Sequence, residues 1–163
     1  MNLRLRTARL GGVAASVVLL AVTVIVVGSE TPGYSQWADT VSHLASPGQP
    51  HARVTQACIV LYGLLIIAGS RPLGGRVPGR DRLLARLVAL YGVAAVVAGV
   101  APKDAPAVRR SLMSAIHVDA TIAGGICIVA AMVVVASAAP ELSARRLSAA
   151  VAKDLEPAVS ERG

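Results

Sequence analysis

Four apolar blocks, each about as long as a bilayer is thick, constrain this chain more than any other feature. Crossing a hydrocarbon core of ~30 Å takes roughly 20 residues of helix. Residues 10–29 carry no charge. Residues 54–70 are also uncharged, and the block reaches span length, 51–70, with His51 to Arg53 in the interface. Residues 83–102 hold one charge, Arg86, one turn from the start, where its stem can snorkel to the headgroups. Residues 118–138 carry Asp119 at their very start and are then uncharged. Nothing alternates with a period of two, as a membrane β-strand requires. An irregular chain would leave backbone groups unpaired in lipid. The expected fold is therefore all-α: a polytopic membrane protein with four transmembrane helices in an antiparallel bundle. Residues 1–139 form the transmembrane domain and 140–163 a cytoplasmic tail.

Composition agrees. Hydrophobic residues make up 55% of the 163 positions and charged ones 15%, against roughly 45–50% and 25% in soluble domains. Mean hydropathy is +0.64. This balance excludes a disordered, collagen-like, coiled-coil or disulfide-scaffold chain and nearly excludes an ordinary soluble enzyme.

The basic residues set the topology. Arg4, Arg6 and Arg9 precede the first span; Arg71, Arg76, Arg80, Arg82 and Arg86 lie between spans two and three; Arg145, Arg146, Lys153 and Arg162 follow span four. The opposite face holds only Arg53, Lys103, Arg109 and Arg110. Both termini are expected in the cytoplasm of a cell whose inner (cytoplasmic) membrane the chain crosses. The net charge of +7 reads as anchoring to anionic lipid headgroups. No helix-turn-helix, finger or aromatic-basic platform points to nucleic acid. The first span is longer than the 7–15 apolar residues of a signal peptide and lacks a small-x-small cleavage site after it, so it reads as an uncleaved helix. Cys58 and Cys127 fall inside spans and read as small packing residues. Ala95/Gly99 and Ala120/Gly124 have the spacing of close helix contacts.

The loops are unequal. Residues 70–82, rich in Gly, Pro and Arg, read as a solvated connector. The outward segment from Glu30 to Pro50 opens on a Pro-Gly turn and frames about two turns of helix, with Ser35 as a plausible N-cap. Trp37, Val41, Leu44 and Ala45 fall on one stripe, with Asp39 and His43 on another. That predicts a short interfacial helix anchored by Tyr34 and by Trp37, the chain's one tryptophan. The second outward loop, residues 102–116, carries Lys103, Asp104, Arg109 and Arg110, and His117 and Asp119 open the fourth span. Residues two apart on a helix diverge by roughly 200°, so His117 and Asp119 do not share a face. In the tail, Leu147, Val151 and Leu155 recur every four residues beside basic ones, as in an interfacial helix or docking segment.

Several of these outward residues carry a resemblance. Pro32-Gly33-Tyr34-Ser35, then Asp39-Thr40-x-Ser42-x-Leu44, Gly48-x-Pro50, Gly99, Pro102-x-Asp104 and His117 resemble the DUF998 family of uncharacterised prokaryotic integral membrane proteins. The resemblance covers roughly residues 10 to 135. It implies a membrane fold and an outer-face site, and no particular reaction. Family members usually look six-span, whereas the apolar content here ends near Ala139.

The ionisable outward residues, Asp39, His43, Asp104, His117 and Asp119, are expected to converge over the bundle mouth, with Tyr34 and Ser35 beside them as a candidate ligand site. Polar groups near lipid are costly unless paired or hydrated. No HExxH, zinc-spaced Cys pair or Gly-rich phosphate loop is present, so no metal, cofactor or catalytic residue is assigned. The leading reading is a non-enzymatic membrane protein whose outer face binds a lipid headgroup, a small ligand or a partner, with membrane lipids and a homo-oligomer or membrane partner protein as associates. Two alternatives stay open: a metal-dependent membrane hydrolase acting on lipid, and a subunit of an oligomeric transporter. The spans offer a transporter only Thr23, Thr55, Gln56 and Thr121 as interior polar groups, with Gly124-Gly125 in span four.

Overall fold

The computed structural model describes residues 3–70, 79–101, 103–104 and 111–160, with side chains described between 14 and 140. The described residues are all helix, turn and loop. The helices are α1 (Leu3–Glu30), α2 (Val41–Leu44), α3 (Ala52–Ser70), α4 (Asp81–Val100) and α5 (Leu112–Ser160). Three stretches are long and apolar enough to cross a membrane: Ala52–Ser70, Asp81–Val100 and Leu112–Pro140. Ala14–Glu30, within α1, is a shorter apolar helix. The loop residues Arg71, Arg76, Pro102, Arg109 and Arg110, and Arg162 in the tail, lie outside the described residues, as do the side chains of Arg4, Arg6, Arg9, Arg145, Arg146, Lys153 and the Leu147/Val151/Leu155 stripe. The backbone of α5 runs without a break through Pro140 to Ser160.

The helices pack in chain order, α1 on α3, α3 on α4 and α4 on α5. Contacts show opposite directions at each of the last two steps. Gly63 meets Gly92 while Gly99, later in α4, meets Val60 and Gln56, earlier in α3. His117 reaches Ala98, while Arg80 at the other end of α4 donates to Ser137. Small residues permit these approaches. A Cβ on Gly63 would stand 2.6 Å from the Gly92 carbonyl oxygen, and one on Gly92 2.8 Å from the Gly63 oxygen. Only glycine at both positions lets the backbones come that close. The spacing pair Ala120/Gly124 also lies at a contact, since a Cβ on Gly124 would meet Ala94 at 3.1 Å.

The outward faces are apolar. Val17, Val18, Val22, Ile25, Leu61, Leu64, Leu90, Ile122, Ile126, Val129 and Val133 are all exposed. Buried positions include polar ones instead: Ser16, Thr23, Thr55, Ser70, Ser114 and His117. An exposed apolar girdle of this size is foreign to a monomer in water and ordinary against lipid tails. Interior hydroxyls bond carbonyls one turn back: Thr23 donates to the Leu19 carbonyl at 2.8 Å and Thr55 to that of His51, just before α3, at 3.2 Å. Among the described residues no buried side-chain polar atom lacks a partner.

Candidate functional site

The segment from Thr31 to Pro50 folds back on itself above the helix ends. Glu30, the last residue of α1, pairs with His51 at 3.1 Å, just before α3, and so closes the base of the segment. Gly33 turns the chain with φ 76°, a left-handed conformation that glycine tolerates. The Tyr34 ring then lies on Gly28, where a Cβ would sit 2.8 Å from it. Ser35 opens a single turn: its N–H donates to Asp39 Oδ2 at 2.8 Å and its Oγ accepts from the Ala38 N–H at 3.3 Å.

The expected two-turn helix is divided at Thr40, which is extended (φ −90°, ψ 153°). Only Val41–Leu44 is helical, and the apolar stripe separates accordingly: Leu44 and Ala45 are buried while Trp37 is fully exposed on the preceding turn. The reason is local. Two turns start in this segment: Ser35 caps the first, with the Asp39 carboxylate on its own N–H, and Thr40 stands at the non-helical N-cap position of Val41–Leu44.

His43 is tied on every side. Its Nδ1 lies 3.4 Å from Asp39 Oδ1, its Nε2 lies 3.1 Å from Gln49 Nε2, and its ring tilts against Tyr34 with centroids 6.1 Å apart. An amide NH2 can only donate, so Nε2 accepts from Gln49, and the proton of the neutral ring sits on Nδ1, the nitrogen nearer Asp39. Burial first, then the Asp39 carboxylate, pushes the Tyr34 phenol above its ordinary value.

His117 sits one layer deeper, 3% exposed. Its Nδ1 lies 2.9 Å from the Ala98 carbonyl oxygen and 2.8 Å from that of Ala101. Carbonyls only accept, so Nδ1 carries the proton. Its Nε2 lies 2.9 Å from Ser42 Oγ in α2. One imidazole thus joins the C-terminal end of α4, the start of α5 and the outer segment.

These groups border a cavity of about 170 Å³. Its walls come from α1 (Leu20), α2 (Ser42), α3 (Ile59, Tyr62), α4 (Tyr91, Ala95) and α5 (His117, Thr121), among others. The lining is mostly apolar, and no Lys, Arg, Asp or Glu contributes to it. The Tyr62 and Tyr91 hydroxyls bond each other at 2.7 Å, with the rings edge to face. Two hydroxyls sharing one hydrogen bond leave one O–H proton over.

The seven sequence candidates therefore divide. Tyr34, Ser35, Asp39 and His43 form one network in the outer segment. His117 belongs to the cavity wall and is linked to that segment through Ser42. Asp104 caps α5: it accepts from the Ser111 N–H at 2.6 Å and the Ser111 hydroxyl at 2.9 Å, and Ser111 Oγ in turn accepts from the Ser114 N–H. Asp119 is exposed in a shallow groove between α4 and α5 beside Leu90, Val93, Val97, Ile116 and Cys127. Among the described residues no three His, Cys, Asp or Glu side chains gather as a metal site.

Sequence reasoning placed neither tyrosine, Tyr62 or Tyr91, in a site, and met Ser42 only in the family pattern and Thr121 only as an interior polar group. The tyrosines did leave a signal. Spanning helices favour tyrosine at the interface, yet Tyr62 and Tyr91 each fall mid-helix, where a phenol needs a partner. The family pattern marked Ser42 without its role, because its partner lies 75 residues away.

No curated protein and no solved structure matches the chain. One family model does, that of the "Protein of unknown function (DUF998)", over residues 13–153, a stretch that contains every residue lining the cavity. The chain is a member of the DUF998 family.

Proposed function

We propose that the chain is a four-span protein of the inner membrane with both termini cytoplasmic, and that its cavity binds the neutral polar region of a membrane lipid. In this reading α1, the first span in chain order, completes the set of four, and the segment around α2 lies in the outer interface. The observation that carries it is the cavity lining. Apolar walls suit an alkyl chain, and the polar groups, Ser42, His117, Thr121 and a spare tyrosine O–H, suit an ester carbonyl or a hydroxyl. With no cationic side chain in the lining, a phosphate is poorly matched there. The volume, about 170 Å³, slightly exceeds that of an apolar cavity able to hold benzene, ~150 Å³, so the occupant is a short stretch of lipid with the remainder outside. Tyr34, Ser35, Asp39 and His43 support the reading by holding in place the segment that presents Ser42; Asp104 and Asp119 act at neighbouring surfaces.

Quantifying lipid retained through purification in mild detergent tests this. Ala95→Leu fills the cavity from α4 and is expected to lower retained lipid roughly tenfold or more, whereas Val133→Leu, on an exposed face, leaves it unchanged. Equal retention by wild type and Ala95→Leu would refute the site.

A further inference from the structure

The hydrogen bond in the cavity wall has a polarity of its own. Because the Ala98 and Ala101 carbonyls fix the proton on His117 Nδ1, the neutral ring turns its lone pair at Nε2 toward Ser42 Oγ, 2.9 Å away. A general base must stand this way toward a hydroxyl nucleophile, and the separation is within the range for such pairs. A bond made only to satisfy a buried histidine would have no need of a neighbouring void. Here both residues line the cavity, which brings an occupant beside the pair.

We propose that Ser42 and His117 are the nucleophile and general base of an esterase that cleaves an acyl ester of a membrane lipid held in this cavity. The proposal rests on the lipid-binding reading and adds a reaction to it. An ester fits better than an amide for a reason visible in the site. Behind Nδ1 stand two neutral carbonyls in place of the carboxylate that steadies the imidazolium in a Ser-His-Asp triad. The weaker base is sufficient where the leaving group is an alcohol, which departs more readily than an amine.

The bonds balance with water as the second reactant. Ser42 Oγ attacks the ester carbonyl carbon as its proton moves to His117 Nε2. The tetrahedral adduct then breaks the carbon–oxygen bond to the alcohol, which takes the proton from Nε2. Water attacks the resulting acyl-serine and gives a proton to Nε2. The carboxylic acid leaves as the proton returns to Ser42 Oγ. The O–H left over from the Tyr62–Tyr91 pair is a hydrogen-bond donor for the occupant's carbonyl.

An alkyl fluorophosphonate, which phosphonylates an activated serine with loss of fluoride, tests the pair on the purified full-length chain in detergent by intact mass. One adduct per chain is expected, mapped to Ser42 and absent from Ser42→Ala. Ser29→Ala, a change at an exposed serine outside the cavity lining, should react like wild type. His117→Asn keeps an amide donor for the carbonyls but has no basic nitrogen, so its labelling is expected to slow roughly 100-fold or more. Hydrolysis of p-nitrophenyl butyrate should follow the same order. Absence of an adduct at Ser42 in lipid-retaining wild type, or wild-type labelling of a folded His117→Asn, overturns the esterase and leaves the binding site standing. Labelling of a protein that retains no lipid overturns the lipid substrate instead.

Discussion

His117 Nε2 and Ser42 Oγ stand 2.9 Å apart across 75 residues of chain, and this bond fastens the outer segment to the ends of α4 and α5. Besides its part in the proposed chemistry, the ring satisfies the Ala98 and Ala101 carbonyls from a position 3% exposed.

Removing that ring strands buried acceptors. His117→Ala is expected to destabilise the protein by about 1–3 kcal/mol, read as a lower thermal midpoint in detergent. His117→Asn, which keeps a donor, should lose less. An unchanged midpoint in His117→Ala would show that the contacts carry no stability.

The α3–α4 contact depends on two facing glycines. Adding a methyl at Gly63 or Gly92 places a Cβ 2.6 or 2.8 Å from the opposite carbonyl oxygen, so the helices must separate. Gly63→Ala and Gly92→Ala should each cost about 1–3 kcal/mol. Gly125→Ala meets nothing within 4 Å and should be neutral, or stabilising by up to about 1 kcal/mol. Thermal unfolding of the three variants side by side decides it.

Topology can be read by thiol labelling after Cys58 and Cys127 are changed to alanine. Ser46 is buried, whereas Trp37 is fully exposed, which makes position 37 the suitable outer probe. Trp37→Cys should react with an impermeant maleimide in intact cells, and Val77→Cys only after permeabilisation. The reverse pattern would invert the orientation inferred from the basic residues.

Tyr34 links stability to alkaline pH. Its phenol is raised by burial and by Asp39, so the folded state holds the proton more tightly than the unfolded one. The resulting stabilisation is fully present below the ordinary phenol value of ~10 and is lost as pH rises through the folded value. Wild type should therefore lose more thermal stability than Tyr34→Phe as pH rises above about 10. Parallel losses in the two proteins would exclude the contribution.

The primary structure alone determined the apolar blocks that became α3, α4 and the first part of α5, because span length and the absence of charge are one-dimensional properties. It also pointed to the Asp39–His43 pair, which forms although the extended Thr40 interrupts the helix that the four-residue spacing presupposes. The Pro-Gly-Tyr-Ser and Asp-Thr-x-Ser pattern likewise sufficed to place the chain in its family. Periodicity overextended the outer helix through Thr40, because an apolar stripe does not reveal that Ser35 and Thr40 start two separate turns. Tertiary structure decided which polar residues share a site. Helix packing turned His117 inward to Ser42 and left Asp119, two residues on, outside. Asp104 went to the start of α5, where Ser111 offered two donors. Helical phase shows that two neighbours must part, but only the approach of α1, α2, α3 and α4 around α5 fixes which of them faces the cavity. That arrangement depends on contacts such as Gly63 with Gly92, whose close approach depends on the pairing of distant segments and so appears only when the helices meet.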